Sequence, residues 1–136
     1  MHIQPYLFFN GRCEEALSFY QQKLGAHIEV MMRYKEAPES SPDCTPPGSD
    51  EKIMHASLRI GDTTLMASDG SCQGEPAFQG VALSLTAANT EEANRLFNAL
   101  AEDGQIQLPI GATFFSPCFG MVTDRFGLPW MVIISA

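Results

Sequence analysis

Residues 13–25, CEEALSFYQQKLG, and residues 90–104, TEEANRLFNALAEDG, read as one helix written twice. In the first, Cys13, Ala16, Leu17, Tyr20 and Leu24 fall on one face of a helix, at intervals of three, four and seven residues. Ala93, Leu96, Phe97 and Leu100 repeat that spacing. The openings Cys13-Glu14-Glu15-Ala16 and Thr90-Glu91-Glu92-Ala93 match at an offset of 77 residues, and Phe19-Tyr20 matches Leu96-Phe97 at the same offset. Glutamates in a first turn complement the helix dipole. Gly25 sits where a helix end takes a left-handed residue. Asn89 is placed to cap the second helix, with Glu92 three residues on, and Gly104 to end it.

Both helices are framed by the same kinds of segment. Residues 3–9 (IQPYLFF) read as a strand, and Pro5, which cannot donate to a ladder, gives it a free edge. Residues 27–34 (HIEVMMRY) form a second strand, and residues 53–60 and 63–69 flank the Gly61-Asp62 hairpin. Residues 80–86 (GVALSLT) lead into the second helix. After it, 105–108 and 112–115 read as extended around Pro109 and Gly111, and 118–124 and 129–135 as two further strands. Residues 35–52, with four prolines, and 70–79 read as polar connections. Each half then runs β-α-β-β-β, which predicts a single α+β domain over 1–136, with module one at about 1–70 and module two at about 79–136. Neither half has the apolar area to stand alone, so two four-stranded sheets are expected to curl against each other with their helices outside.

Sixteen acidic against eight basic residues give a net charge of −8, which argues against nucleic acid or an anionic membrane as partner. The gaps of 31, 28 and 46 residues between Cys13, Cys44, Cys72 and Cys118 match no metal knuckle. The N-terminal stretch has neither a basic segment nor an apolar run, and no segment approaches the roughly 20 apolar residues of a membrane span. Reduced thiols and a cytoplasmic location are the expectation.

The set Pro5-Tyr6-Leu7-Phe8-Phe9-Asn10-Gly11, Cys13-Glu14-Glu15-Ala16, Phe19-Tyr20, Leu24-Gly25, Ile53-Met54-His55-Ala56, Ile60-Gly61-Asp62 and Leu65-Met66-Ala67-Ser68-Asp69 resembles the vicinal oxygen chelate superfamily. Thr113-Phe114-Phe115, the run Phe119 to Gly127 and Pro129-Trp130-Met131 extend the likeness over nearly the whole chain. That superfamily includes glyoxalase I, bleomycin-resistance proteins and extradiol dioxygenases. The closer match is its PhnB-like branch, also labelled 3-demethylubiquinone-9 3-methyltransferase, although no nucleotide-type cofactor motif stands in this chain. The resemblance implies two βαβββ modules pairing into a curved mixed sheet (the glyoxalase/bleomycin-resistance fold), a concave cavity and frequent homodimers. It implies no single reaction.

The resemblance also implies where a divalent ion would sit, on His, Glu or Gln side chains from the first and last strand of each module. Those strands offer Gln4, then Leu65 or Met66, then Gly80-Val81-Ala82, then Met131. At most one of the four positions suits a hard cation. A shifted site on His2 or His55 has no support from spacing. The expectation is therefore no metal and no cofactor, with a divalent metal as the alternative.

The candidate ligand-cavity residues are Gln4, Tyr6, His55, Met66, Phe114 and Met131. Gln4 and Tyr6 share a strand face with Phe8, as polar tips in an apolar pocket. Equally, the Tyr6 hydroxyl could find a backbone carbonyl. His55 lies mid-strand and either binds or protonates a ligand, or hydrogen-bonds a neighbouring strand or partner subunit. The methionines and Phe114, Phe115 and Phe119 suit a deformable apolar cleft, a core or a dimer seam. Met131 is expected to face the cavity and Trp130 to lie under a helix. Cys13 and Cys118 read as small buried hydrophobes, and Asp124-Arg125 as an ion pair or turn cap.

The leading expectation is a PhnB-like protein that binds a small organic molecule in an apolar, metal-free cavity between modules, as a homodimer. The alternatives are a divalent-metal-dependent isomerase, lyase or dioxygenase of the same superfamily, and a ligand-free dimeric interaction protein. Phosphonate as substrate gains no support from an acidic chain without a basic cluster.

Overall fold

The computed structural model describes residues 1–36, 50–70 and 77–135. They fall into two compact units, Met1–Pro76 and Ala77–Ala136. The first holds β1 (Tyr6–Phe8), α1 (Cys13–Leu24), β2 (His27–Arg33), β3 (Ile53–Ile60) and β4 (Thr63–Ser68). The second holds β5 (Leu83–Ala87), α2 (Thr90–Ala101), β6 (Gln105–Gly111), β7 (Phe119–Thr123) and β8 (Pro129–Ile134). Strand order is β1-β4-β3-β2 in one sheet and β5-β8-β7-β6 in the other. β1 runs parallel to β4 and β5 to β8, and every other pairing is antiparallel. The duplication read from the helices is thus a duplication of topology, and the α+β class with two βαβββ units holds.

Alternation along the strands divides each sheet into a covered and an open face. In the first unit Leu7, Ala56, Leu58, Leu65 and Ala67 are buried, with Ala16, Leu17 and Tyr20 of α1. In the second Val122, Trp130, Val132 and Ile134 are buried, with Ala93, Leu96, Phe97 and Leu100 of α2. Each fully buried Leu, Ile or Phe contributes about 1.5–3 kcal/mol. α2 approaches its sheet so closely that a Cβ on Gly120 would lie 2.7 Å from the Phe97 ring. Trp130 lies on this covered face, as expected, and Met131 alternates onto the open one.

Two buried aspartates hold the connections. Asp69, directly after β4, accepts backbone N–H groups from Gly11 (2.8 Å), Cys13 (2.8 Å) and Ile53 (2.7 Å). It thereby caps α1, whose N-cap position, Arg12, makes no side-chain cap bond of its own. Asp124 accepts from the backbone N–H groups of Phe126 (2.9 Å) and Leu128 (3.0 Å) and from the indole Nε1–H of Trp130 (2.9 Å). The turn-cap reading of Asp124 is correct.

Several local expectations need correction. β1 covers only Tyr6–Phe8, because Pro5 contributes a carbonyl to Met66 N–H (2.9 Å) but no donor. β2 stops at Arg33, where Tyr34 opens a single 3-10 turn. β5 starts at Leu83. β6 runs straight through Pro109, which it tolerates as an outer strand with register shifts on either side of Leu108. Residues 112–115, expected as extended, instead make a turn in which Thr113 N–H donates to Ser116 O and Ser116 N–H to Thr113 Oγ1. Gly104 is not the left-handed residue after α2. Asp103 takes that conformation, at φ 58°, and Gly104 is required because a Cβ would collide with the Thr123 carbonyl. The proline-rich connection and the polar one after β4 lie largely outside the described residues, and Cys44 and Cys72 with them.

Candidate ligand-binding site

The open face of the first sheet carries the chemistry. Tyr6, Met66, Ser57 and Val30 stand in one row across all four strands, through the pairs Tyr6↔Met66, Ser57↔Met66 and Val30↔Ser57. His55 stands in the next row along β3, opposite Met32. The Tyr6 hydroxyl reaches across β4 to His55 Nδ1 at 3.0 Å. Its ring lies 5.7 Å from the imidazole and 5.0 Å from Phe8, tilted in both cases. These side chains are not core: Tyr6 is 37% and Phe8 53% exposed, and His55, Ser57 and Met66 are half-buried. A sheet face of this kind, two aromatic rings and a thioether around one polar pair, can hold an apolar body and orient it by a hydrogen bond.

Of the six expected residues, the structure brings together Tyr6, His55 and Met66. Gln4 precedes β1 and is exposed. The two readings of Tyr6 and His55 merge, since each is the other's partner and neither uses a backbone carbonyl. Phe8 and Ser57 join them from the same face. Met131 and Phe114 belong to the second unit. Met131, half-buried, pairs with Ser84 on one side and Met121 on the other. Phe114 is fully exposed at the tip of the Thr113–Ser116 turn, edge-on to Phe115 at 5.1 Å, and Phe115 packs on Phe119 at 4.9 Å. Ser116, which sequence reasoning passed over, anchors that turn with its hydroxyl, whose single proton is shared between Cys118 O and Ile134 O (2.8 and 2.6 Å). Its signal was a serine between an aromatic pair and a proline, too common to single out.

The divalent ion implied by the superfamily does not fit the side chains present. Leu65, Met66 and Met131 offer no oxygen or nitrogen, and a hard cation takes several such ligands. Among the described residues no three of His, Cys, Asp and Glu come together as a metal group. Cys13 is no nucleophile: burial, then the nearby Asp69 and Glu14 charges, push its thiol far above the usual range. Among the described residues no helix is long and apolar enough to cross a membrane.

Two mixed four-stranded sheets, each carrying one helix in βαβββ order, are the architecture of the vicinal oxygen chelate superfamily. A glyoxylase/bleomycin resistance protein/dioxygenase domain from Frankia has the same fold, with a TM-score of 0.62 at 15% identity over 99% of this chain and 95% of that one. Within the superfamily the chain belongs to the PhnB-like family, since residues 1–133 match the family model described as 3-demethylubiquinone-9 3-methyltransferase. It is 38% identical to protein YjdN of Escherichia coli over 97% of its own length and 94% of the relative's. Among solved structures, protein PA1353 from Pseudomonas aeruginosa matches with a TM-score of 0.87 and 46% identity over 99% and 98% of the two chains. A PhnB protein from Bacillus cereus matches with a TM-score of 0.82 and 28% identity over 99% and 100%.

Proposed function

We propose that this protein binds a small organic molecule against the open face of β1, β4 and β3, without a divalent metal. The observation that carries the reading is the Tyr6–His55 hydrogen bond set among Phe8 and Met66. A polar pair on an exposed aromatic face serves recognition better than stability, because neither side chain is needed to fill the core. The family is described as a methyltransferase, and the binding role proposed for this face draws on none of that chemistry. The two described cysteines, both buried free thiols, support a reducing compartment such as the cytoplasm.

The test is a fragment screen followed by amide NMR. Binders should perturb residues 6, 8, 55, 57 and 66 together, and Phe8→Ala should abolish the effect. A screen without binders at this face, or binding indifferent to Phe8→Ala, overturns the reading.

A second reading, that the protein is a homodimer, is favoured by one observation. Phe114 stands fully exposed beside Phe115 on an anchored turn, and Met121 of β7 is exposed as well. Large exposed apolar side chains are characteristic of an interface, and the occupant proposed is a second copy of the chain. Light scattering on the eluting protein should give twice the chain mass, and Phe114→Ser should shift it toward the monomer. A monomeric wild-type protein defeats it.

A further inference from the structure

We infer that His55 holds an uncharged, conjugated carbonyl oxygen through its Nε2–H, while the ligand's ring lies on Tyr6 and Phe8. This rests on the proposed role of the open face and adds the ligand's chemical class and the atom that reads it.

The argument starts from the 3.0 Å bond between Tyr6 Oη and His55 Nδ1. A phenol is a stronger acid than a neutral imidazole N–H, and an imidazole nitrogen a stronger base than a phenol oxygen. The proton therefore lies on the tyrosine, and Nδ1 accepts. A neutral imidazole that accepts at Nδ1 carries its own proton at Nε2. Tyr6 thus fixes the tautomer and turns His55 into a donor. Among the described residues the His55 imidazole makes no other hydrogen bond, so this donor is available. Tyr6 sets the imidazole proton and lends its ring face, and His55 is the residue that hydrogen-bonds the ligand.

The neighbouring rings set the rest of the ligand. Tyr6 and Phe8 lie 5.0 Å apart, tilted by 33°, and both are exposed. A third ring can add to them at the separations aromatic pairs favour, about 4.5–7 Å. An oxygen conjugated to that ring lies close to its plane, and the imidazole centroid stands 5.7 Å from that of Tyr6. The charge of the oxygen follows from what is missing beside it. The cation on the same face of β3 is Arg59, four residues along from His55 and so roughly 13 Å away at the rise of a strand. On the neighbouring strand Arg33, next to the Met32 that pairs with His55, is held by Glu14 at 2.6 Å, so a carboxylate at Nε2 would meet a neutral donor on a chain of net charge −8. A ketone or other neutral carbonyl needs only the donor.

The experiment uses the full chain labelled with 15N at histidine and three probes of one size: acetophenone, ethylbenzene and benzoate. Long-range proton–nitrogen spectra should show Nδ1 unprotonated and Nε2 protonated before any probe is added. Acetophenone should move the Nε2 resonance and bind about three- to tenfold tighter than ethylbenzene, the difference one net hydrogen bond makes. Benzoate should bind more weakly than acetophenone. Tyr6→Phe should release the tautomer toward its solvent mixture and narrow the ratio of acetophenone to ethylbenzene binding, whereas His55→Ala should remove the preference. A proton on Nδ1, equal binding of all three probes, or no binding of acetophenone overturns the inference. Equal binding that Phe8→Ala abolishes would sink the carbonyl assignment alone and leave the open face as a binding surface. Binding untouched by Phe8→Ala would sink both.

Discussion

Asp69 illustrates how much a single side chain can organise. Its carboxylate takes three N–H groups from two separate segments, Gly11 and Cys13 at the start of α1 and Ile53 at the start of β3, with Cys13 56 positions away. Replacing it by alanine strands those donors in a buried place, at about 1–3 kcal/mol each when fully unsatisfied. Asp69→Ala is expected to lose about 3–5 kcal/mol, read as a lower urea midpoint by circular dichroism, and Asp69→Asn less. Nothing in the local string Ala67-Ser68-Asp69-Gly70 foretells this, because the partners come from distant loops. Glu14 makes a gentler case. Its hydrogen bond to Arg33 Nη2, at 2.6 Å, holds its carboxyl below the usual carboxylate range. A folded-state pKa that is depressed adds stability above the unfolded value, near 4.3, which is lost as pH falls through the folded one. Both side chains reach solvent, so the pair contributes little. Glu14→Gln should therefore lower the urea midpoint slightly at pH 7, with the difference from wild type shrinking as pH falls below the unfolded value.

The two helices look alike in sequence and are secured differently. α2 carries its own cap, Asn89 Oδ1 accepting from Glu92 N–H at 2.8 Å, and this was legible because capping is local. Asn89→Ala should cost about 1 kcal/mol, measured by urea unfolding. α1 borrows Asp69, which no window of thirteen residues reveals. Strand limits followed the same division. The hairpin around Gly61 was plain, since turn chemistry is local. β6 was misread because Pro109 and Gly111 are breakers in isolation, and only its position at the sheet edge makes them acceptable. Gly104 reads from the sequence as the end of α2, but what requires glycine there is the Thr123 carbonyl from another strand.

At the scale of the whole chain, the repeat of one helix predicted the topology of both sheets, because order of elements survives when residue identity fades. The candidate site was half legible. Alternation placed Tyr6 beside Phe8, and His55 and Ser57 on one strand face. Their meeting needed the pairing of β1 with β4 and of β4 with β3, which brings together residues 49 apart. Met131, chosen from the superfamily's ligand position, and Phe114, chosen for its place in an aromatic-rich stretch, belong to the other unit, where no polar pair of this kind accompanies them among the described residues.

The duplication is also uneven in a way that can be put to use. All three tyrosines, Tyr6, Tyr20 and Tyr34, lie in the first unit, and the one tryptophan, Trp130, lies in the second. Each half thus carries a different natural fluorophore, and no label is needed to watch them separately. Half-chains of this size bury too little surface to be stable alone, so tyrosine and tryptophan emission should change at the same urea concentration. Two separate midpoints would mean that the halves melt one after the other. In either case the order of loss can be read from the colour of the light.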